Sequence, residues 1–143
     1  MSTQQNKETV LRFFNEVCNG RNLAAADQFF APESRYYDPS NPNVQPGPQG
    51  IRDVVGAYQN GFPDAYWHID DIIAENDQVV VRWRGTGTHR NELQGIPPTG
   101  KSVDVPGTWI FRLENGKVTE SWDVWDTMVM LQQLGVVPAA EEA

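Results

Sequence analysis

Asn115-Gly116 constrains this chain more than any other local feature, because it sits between two long strand-like runs, Lys101 to Leu113 and Val118 to Val124. Both residues tolerate positive φ, which a two-residue type I′ hairpin requires. The turn therefore fixes two antiparallel neighbours and a starting register between them. Upstream, Trp67 to Ala74 reads as a strand that leads through Asn76-Asp77 into Val79 to Thr88. The second half of the chain is thus a meander of long strands.

The first half is helical. Val10, Phe13, Phe14 and Val17 follow the spacing of one helix face. Ser2 and Gln5 fit a capping box, and Asn19-Gly20 ends a helix of about Thr3 to Cys18. Asn22 can cap a second, short helix through Leu23, Ala26, Phe29 and Phe30, which Pro32 closes. Arg35 to Asp38 reads as a short strand. Four prolines between Pro39 and Pro48 demand a loop. A third helix carries Ile51, Val54, Val55, Tyr58 and Phe62 and stops at Gly61 and Pro63. A last short helix bears Met128, Leu131 and Leu134, starts at Asp126 or Thr127 and ends at Gly135.

Helices first and strands afterwards predict an α+β domain, with helices on one face of an antiparallel sheet. Long twisted strands would curl that sheet around a helix and leave a pocket between them. The 143 residues suit one domain, residues 1–143, with the last few forming a flexible tail.

Charge and cysteine content bound the partners. The formal net charge is −8, and the eleven Lys and Arg are scattered, so nucleic acid and anionic membranes are poor partners. No apolar run approaches the ~20 residues that span a bilayer. The N-terminus is polar, and the single cysteine, Cys18, fits a small core residue in a reducing compartment. A cytoplasmic protein is expected. Two distant histidines, His68 and His89, give no metal site.

The run Ser121-Trp122-Asp123-Val124-Trp125-Asp126 holds the candidate chemistry. A carboxylate among aromatics is costly to desolvate unless paired or neutralised, which makes Asp123 or Asp126 a candidate acid or base. Asp126 is better explained as the N-cap of the last helix, accepting from Val129 or Met128. Asp38 precedes Pro39, which holds it extended. It either faces the pocket and shares a proton with Asp123 or closes an Asx-turn. His89, beside the Arg90-Asn91 turn, reads first as turn-stabilising and second as a substrate contact. Trp109 reads either as core or as pocket lining.

Several pieces together resemble the SnoaL-like polyketide cyclase family of the nuclear-transport-factor-2-like superfamily. They are Gly87-Thr88-His89, Gly95-Ile96-Pro97-Pro98-Thr99-Gly100-Lys101, Asn115-Gly116-Lys117, Trp122-Asp123-Val124-Trp125-Asp126 and Leu131-Gln132-Gln133-Leu134-Gly135. The resemblance implies a cone in which a curved sheet wraps a helix around a buried pocket. It implies a cofactor-free and metal-free reaction in which an aspartate of the last strand, here Asp123, removes a proton beside a carbonyl so that the enolate closes a ring. It also implies a homodimer or higher homo-oligomer, formed through the uncovered sheet face, and a small apolar or aromatic carbonyl-containing ligand contacted by Asp38, Trp109, Ser121 and His89. Three positions depart from the cyclases: Trp109 and Ser121 stand where they have histidines, and Gly107 where they have a glutamine. Those losses also fit a non-catalytic module that binds a hydrophobic ligand or serves dimeric assembly.

The resemblance conflicts with the turn. A regular hairpin from Asn115-Gly116 pairs Leu113 with Val118 and Trp109 with Trp122, so Asp123 faces away from Trp109. The family comparison sets Trp109 and Asp123 on one pocket-facing side. Both hold only if a β-bulge lies between the turn and Asp123, and that bulge is predicted.

Overall fold

A computed structural model of the chain describes residues 1–138; the expected flexible tail lies outside the described residues. Helix α1 runs Thr3–Phe13 and continues as a π-helical turn, Phe14–Asn19. The predicted capping box is present: Ser2 Oγ accepts from Gln5 N–H at 3.0 Å, and Gln5 Oε1 accepts from Ser2 N–H at 2.9 Å. Val10, Phe13, Phe14, Val17 and Cys18 are buried, as the helical spacing requires.

The second helical element is shorter than expected. A 3-10 segment spans Leu23–Gln28, and strand β1, Phe30–Tyr37, takes over from Phe30. Pro32 therefore lies inside a strand rather than closing a helix. It is tolerated because β1 is an edge strand and its register slips between Phe30 and Arg35, so no ladder bond is lost at Pro32.

After the proline-rich loop come α2, Pro48–Gly61, then β2, Tyr66–Glu75, β3, Gln78–Thr88, β4, Ser102–Glu114, and β5, Lys117–Trp125. Helix α3, Thr127–Leu134, closes the described chain. Asp126 caps it, with Oδ1 accepting from Val129 N–H at 3.0 Å, and Gly135 ends it in the left-handed conformation.

The five strands form one curved, unclosed sheet in the order β1-β5-β4-β3-β2. Strands β2 to β5 are an antiparallel meander, and β1 adds to β5 in parallel. Helix α1 packs on β2 and β3, α2 on β1, and α3 on β4. Among the described residues, no helix is long and apolar enough to cross a membrane.

The β4–β5 hairpin resolves the conflict between turn and site. Asn115 and Gly116 both have positive φ, at 51° and 80°. Leu113 pairs with Val118, but Arg112 pairs with Glu120, so Thr119 is an extra residue. Beyond this bulge Trp109 faces Asp123. Val118 and Asp123 are five residues apart, an odd number that in an uninterrupted strand would put them on opposite faces. With the bulge, both are buried on the helix-covered side.

The outer sheet face is mostly ionic. Arg82 pairs with Asp70 and Asp71, Arg84 with Asp70 and Asp104, and Arg112 with Asp77 and Glu120. Tyr37 stacks on Trp122 there, beside the exposed Val124. Trp122 is thus not one of the aromatics that bury Asp123.

Candidate active site

Asp123 is 5% exposed and lines an apolar cavity of about 70 Å³. Trp83, Trp109 and Trp125 come from the sheet, Tyr58 and Phe62 from α2 and its end, and Met130 from α3. This volume lies below the ~300 Å³ at which pockets for drug-sized ligands begin. A ligand of two or more rings therefore requires these side chains to move.

The parallel pairing of β1 with β5 brings a second acid alongside. Tyr36 is opposite Ser121 and Tyr37 opposite Trp122, so the chain leaves β1 at Asp38 next to Asp123. The Tyr36 hydroxyl lies between the two carboxyl groups, 2.8 Å from Asp38 Oδ2 and 2.9 Å from Asp123 Oδ2. Asp38 also closes the Asx-turn. Its Oδ1 accepts from Ser40 N–H at 2.8 Å and Ser40 Oγ–H at 2.6 Å. Its Oδ2 accepts from Asn41 Nδ2–H at 2.8 Å and from the Trp125 indole N–H at 3.1 Å. The two sequence alternatives for Asp38 thus coexist: it shapes the loop and it adjoins Asp123.

These surroundings separate the two acids. Burial pushes Asp123 up to about 8, and the Asp38 charge pushes the same way, while Tyr36 and the nearby Trp83 N–H temper the rise. That indole N–H nonetheless lacks hydrogen-bond geometry to any partner. Burial also disfavours charge on Asp38, but its bonds from Ser40, Asn41 and Trp125 hold it below the ordinary aspartate value. Burial, then both carboxyl groups, keep Tyr36 protonated. Asp123 Oδ1 has no partner in the protein. The site therefore presents one neutral acid with a free oxygen toward an apolar space, supported by one fixed anion.

Gly107 acquires a reason here. It pairs with Trp83 on one side and Trp125 on the other. A Cβ at 107 would stand 2.4 Å from Trp83 Cζ2 and 2.8 Å from Trp125 Cβ. The missing side chain lets the Trp83 indole lie across the sheet toward Asp123. Gly107→Ala is expected to destabilise the fold by about 1–3 kcal/mol through overpacking. Urea denaturation followed by tryptophan fluorescence would measure it, and an unchanged midpoint would mean the indole is not held.

The remaining predicted residues are placed differently. Trp109, 2% exposed, lines the cavity and packs edge-on against Phe13, Phe14 and Tyr36, so its core and lining readings are both met. Ser121 is fully buried outside the cavity lining, and its hydroxyl has no partner. His89 is also outside the lining. Its Nδ1 accepts from Thr99 N–H at 3.2 Å, its backbone bonds Lys101 and Gly100, and its ring packs on Phe62. It closes the 89–101 loop, the turn-stabilising role. Sequence reading missed Tyr36 and Trp83 as site residues. Among the described residues, no group of three or more His, Cys, Asp or Glu side chains forms a metal-holding cluster.

The family model for SnoaL-like polyketide cyclases matches residues 8–134. The chain belongs to that family. Among solved structures, a proposed SnoaL-like polyketide cyclase from Jannaschia sp. CCS1 is 30% identical, with a TM-score of 0.85 over 95% of each chain. AclR, a proposed hydroxylase from Streptomyces galilaeus, is 27% identical, with a TM-score of 0.86 over 99% of this chain and 87% of its own. IdmH, a proposed polyketide cyclase from Streptomyces antibioticus, is 28% identical, with a TM-score of 0.80 over 92% and 99%. No curated protein matches. Within the SnoaL-like frame, Gly107 stands out because the space of the expected glutamine is taken by a tryptophan from the neighbouring strand.

Proposed function

We propose that the protein is a small-molecule enzyme of the polyketide cyclase or isomerase type, in which Asp123 moves a proton beside a carbonyl. One observation carries the reading: Asp123 is buried at the wall of an apolar cavity, with one carboxyl oxygen unpartnered and an ionisation near neutrality. A general base works best with a pKa near the operating pH. The ionised carboxylate would take a proton from the carbon next to the carbonyl. The C–H electron pair moves to the carbonyl oxygen as an enolate, whose carbon can attack a second carbonyl and close a ring or be reprotonated by Asp123. Proton and electron pair stay within enzyme and substrate, so the step needs no cofactor.

The aromatic walls suit a flat, conjugated ligand. Trp83 and Trp109 line the cavity and carry N–H groups without partners, so they are the donors available to its oxygen. A binding-only module for an apolar ligand has no use for Asp123: an unpaired buried carboxyl oxygen costs about 1–3 kcal/mol that an apolar residue would not.

The direct test is α-carbon deuterium exchange, followed by proton NMR, on a panel of aromatic ketones and 1,3-diketones in heavy water. Exchange above the buffer rate supports the reading; buffer-rate exchange across the panel counts against it. The reading includes a homodimer through the sheet face around Tyr37, Trp122 and Val124, the last 61% exposed. Gel filtration is expected to give a dimer at micromolar concentration, and a monomer would remove that part.

A further inference from the structure

Tyr36 makes two short contacts with one proton. Its oxygen is 2.8 Å from Asp38 Oδ2 and 2.9 Å from Asp123 Oδ2. A phenol has a single O–H to donate. For both contacts to be hydrogen bonds, one carboxyl group must donate the second proton. Asp38 already accepts from Ser40 twice, from Asn41 and from Trp125, which is the environment of a carboxylate. Asp123 has no hydrogen bond other than that with Tyr36 and is buried. The proton therefore belongs on Asp123 Oδ2 and points at the Tyr36 oxygen, while the Tyr36 hydroxyl points at Asp38.

Once Asp123 is ionised, that arrangement fails. Two acceptors then face one hydroxyl. Asp38 keeps four other donors if Tyr36 turns away, whereas Asp123 keeps none.

The geometry points to Tyr36 as a positioning residue whose hydroxyl rotates between the two carboxyl groups, donating to Asp38 while Asp123 is protonated and to Asp123 while Asp123 is ionised. This rests on the reading of Asp123 as the proton-transfer group. It adds that Asp38 and Tyr36 set which form Asp123 takes. No bond to hydrogen breaks in Tyr36; the only proton transferred is that between Asp123 and the ligand. The other titratable groups felt at this pair are Tyr58 of α2 and Cys18 of the π-helical turn. Burial raises both above their ordinary values, so neither is charged at neutral pH.

The proposal is tested without substrate. The carboxyl band of Asp123 is followed by infrared titration of the full chain and assigned by its loss in Asp123→Asn. Tyr36→Phe removes the donor that stabilises the ionised form and is expected to move the midpoint upward by about one pH unit or more. Asp38→Asn removes the like charge and leaves Tyr36 free for Asp123, so the midpoint is expected to move downward by a similar amount. Shifts in the same direction, or no shift in either variant, overturn the proposal.

A second readout needs no substitution. The 13Cζ resonance of labelled Tyr36 should titrate with the Asp123 midpoint, and one that stays still through that range overturns the rotation. The catalytic reading fails separately, if Asp123→Asn leaves ketone exchange intact.

Discussion

Asp123→Asn is expected to lower the α-carbon exchange rate of a responsive ketone at least ~100-fold, the lower end of what a positioned acid or base contributes. The substitution keeps size and shape, and an amide is uncharged like the resting carboxyl group. Binding of the same ketone, read from tryptophan fluorescence quenching, is expected to change little. The split matters, because a cavity that only stores ligand would lose neither property. Retained exchange in Asp123→Asn would move the chemistry elsewhere and end the Asp123 mechanism.

The same carboxyl group should make the fold pH-sensitive in an unusual direction. An unfolded aspartate releases its proton near 3.8, whereas Asp123 in the native state holds it up to about 8. Between these values the native chain binds one more proton than the unfolded chain, so stability falls as pH rises. The contribution is fully present below the unfolded value and lost as pH climbs through the folded one. Asp38 works oppositely, since its folded value is lowered; its contribution is present above the unfolded value and lost below it.

From about pH 5 to about pH 7.5 the Asp123 slope amounts to roughly 3 kcal/mol of unfolding free energy, at ~1.36 kcal/mol per pH unit. Urea denaturation across this range is expected to show the decline in the wild-type chain. Asp123→Asn should show a flatter line and greater stability at the alkaline end, an activity-for-stability exchange known at buried functional groups. Equal slopes in both proteins would mean that Asp123 is already ionised when folded.

The hairpin and the site were legible in the sequence to different degrees. Asn115-Gly116 fixes its own turn through local backbone preference. That turn, set against the pocket-facing side expected for Trp109 and Asp123, required a bulge whose position pattern alone left open. Asp126 was legible as a cap because capping is local.

Phe30 was assigned to a helix because its spacing from Ala26 and Leu23 fits one, yet pairing of β1 with β5 at Val118 decided otherwise. Tyr36 lies 87 residues from Asp123 and meets it only through the parallel register, which leaves no trace in local spacing. Gly107 read as a lost polar group because the side chain filling its place, Trp83, comes from another strand. Ser121 shares the inner face with Asp123, but alternation specifies a face and not a depth, and it lies outside the cavity wall.

The extra residue at Thr119 divides β5 into two stretches that read chain length differently. Upstream of the bulge, removing one residue converts an irregular ladder into a regular one and leaves every partner from Glu120 to Trp125 opposite the strand it already faces. Downstream, the same one-residue change inverts the strand and turns Asp123 out among the arginines of the far face. Length variation in this strand is therefore compatible with the site near the turn and incompatible with it from Ser121 onward. The bulge acts as an expansion joint between a turn that obeys its own geometry and a carboxyl group that must face inward.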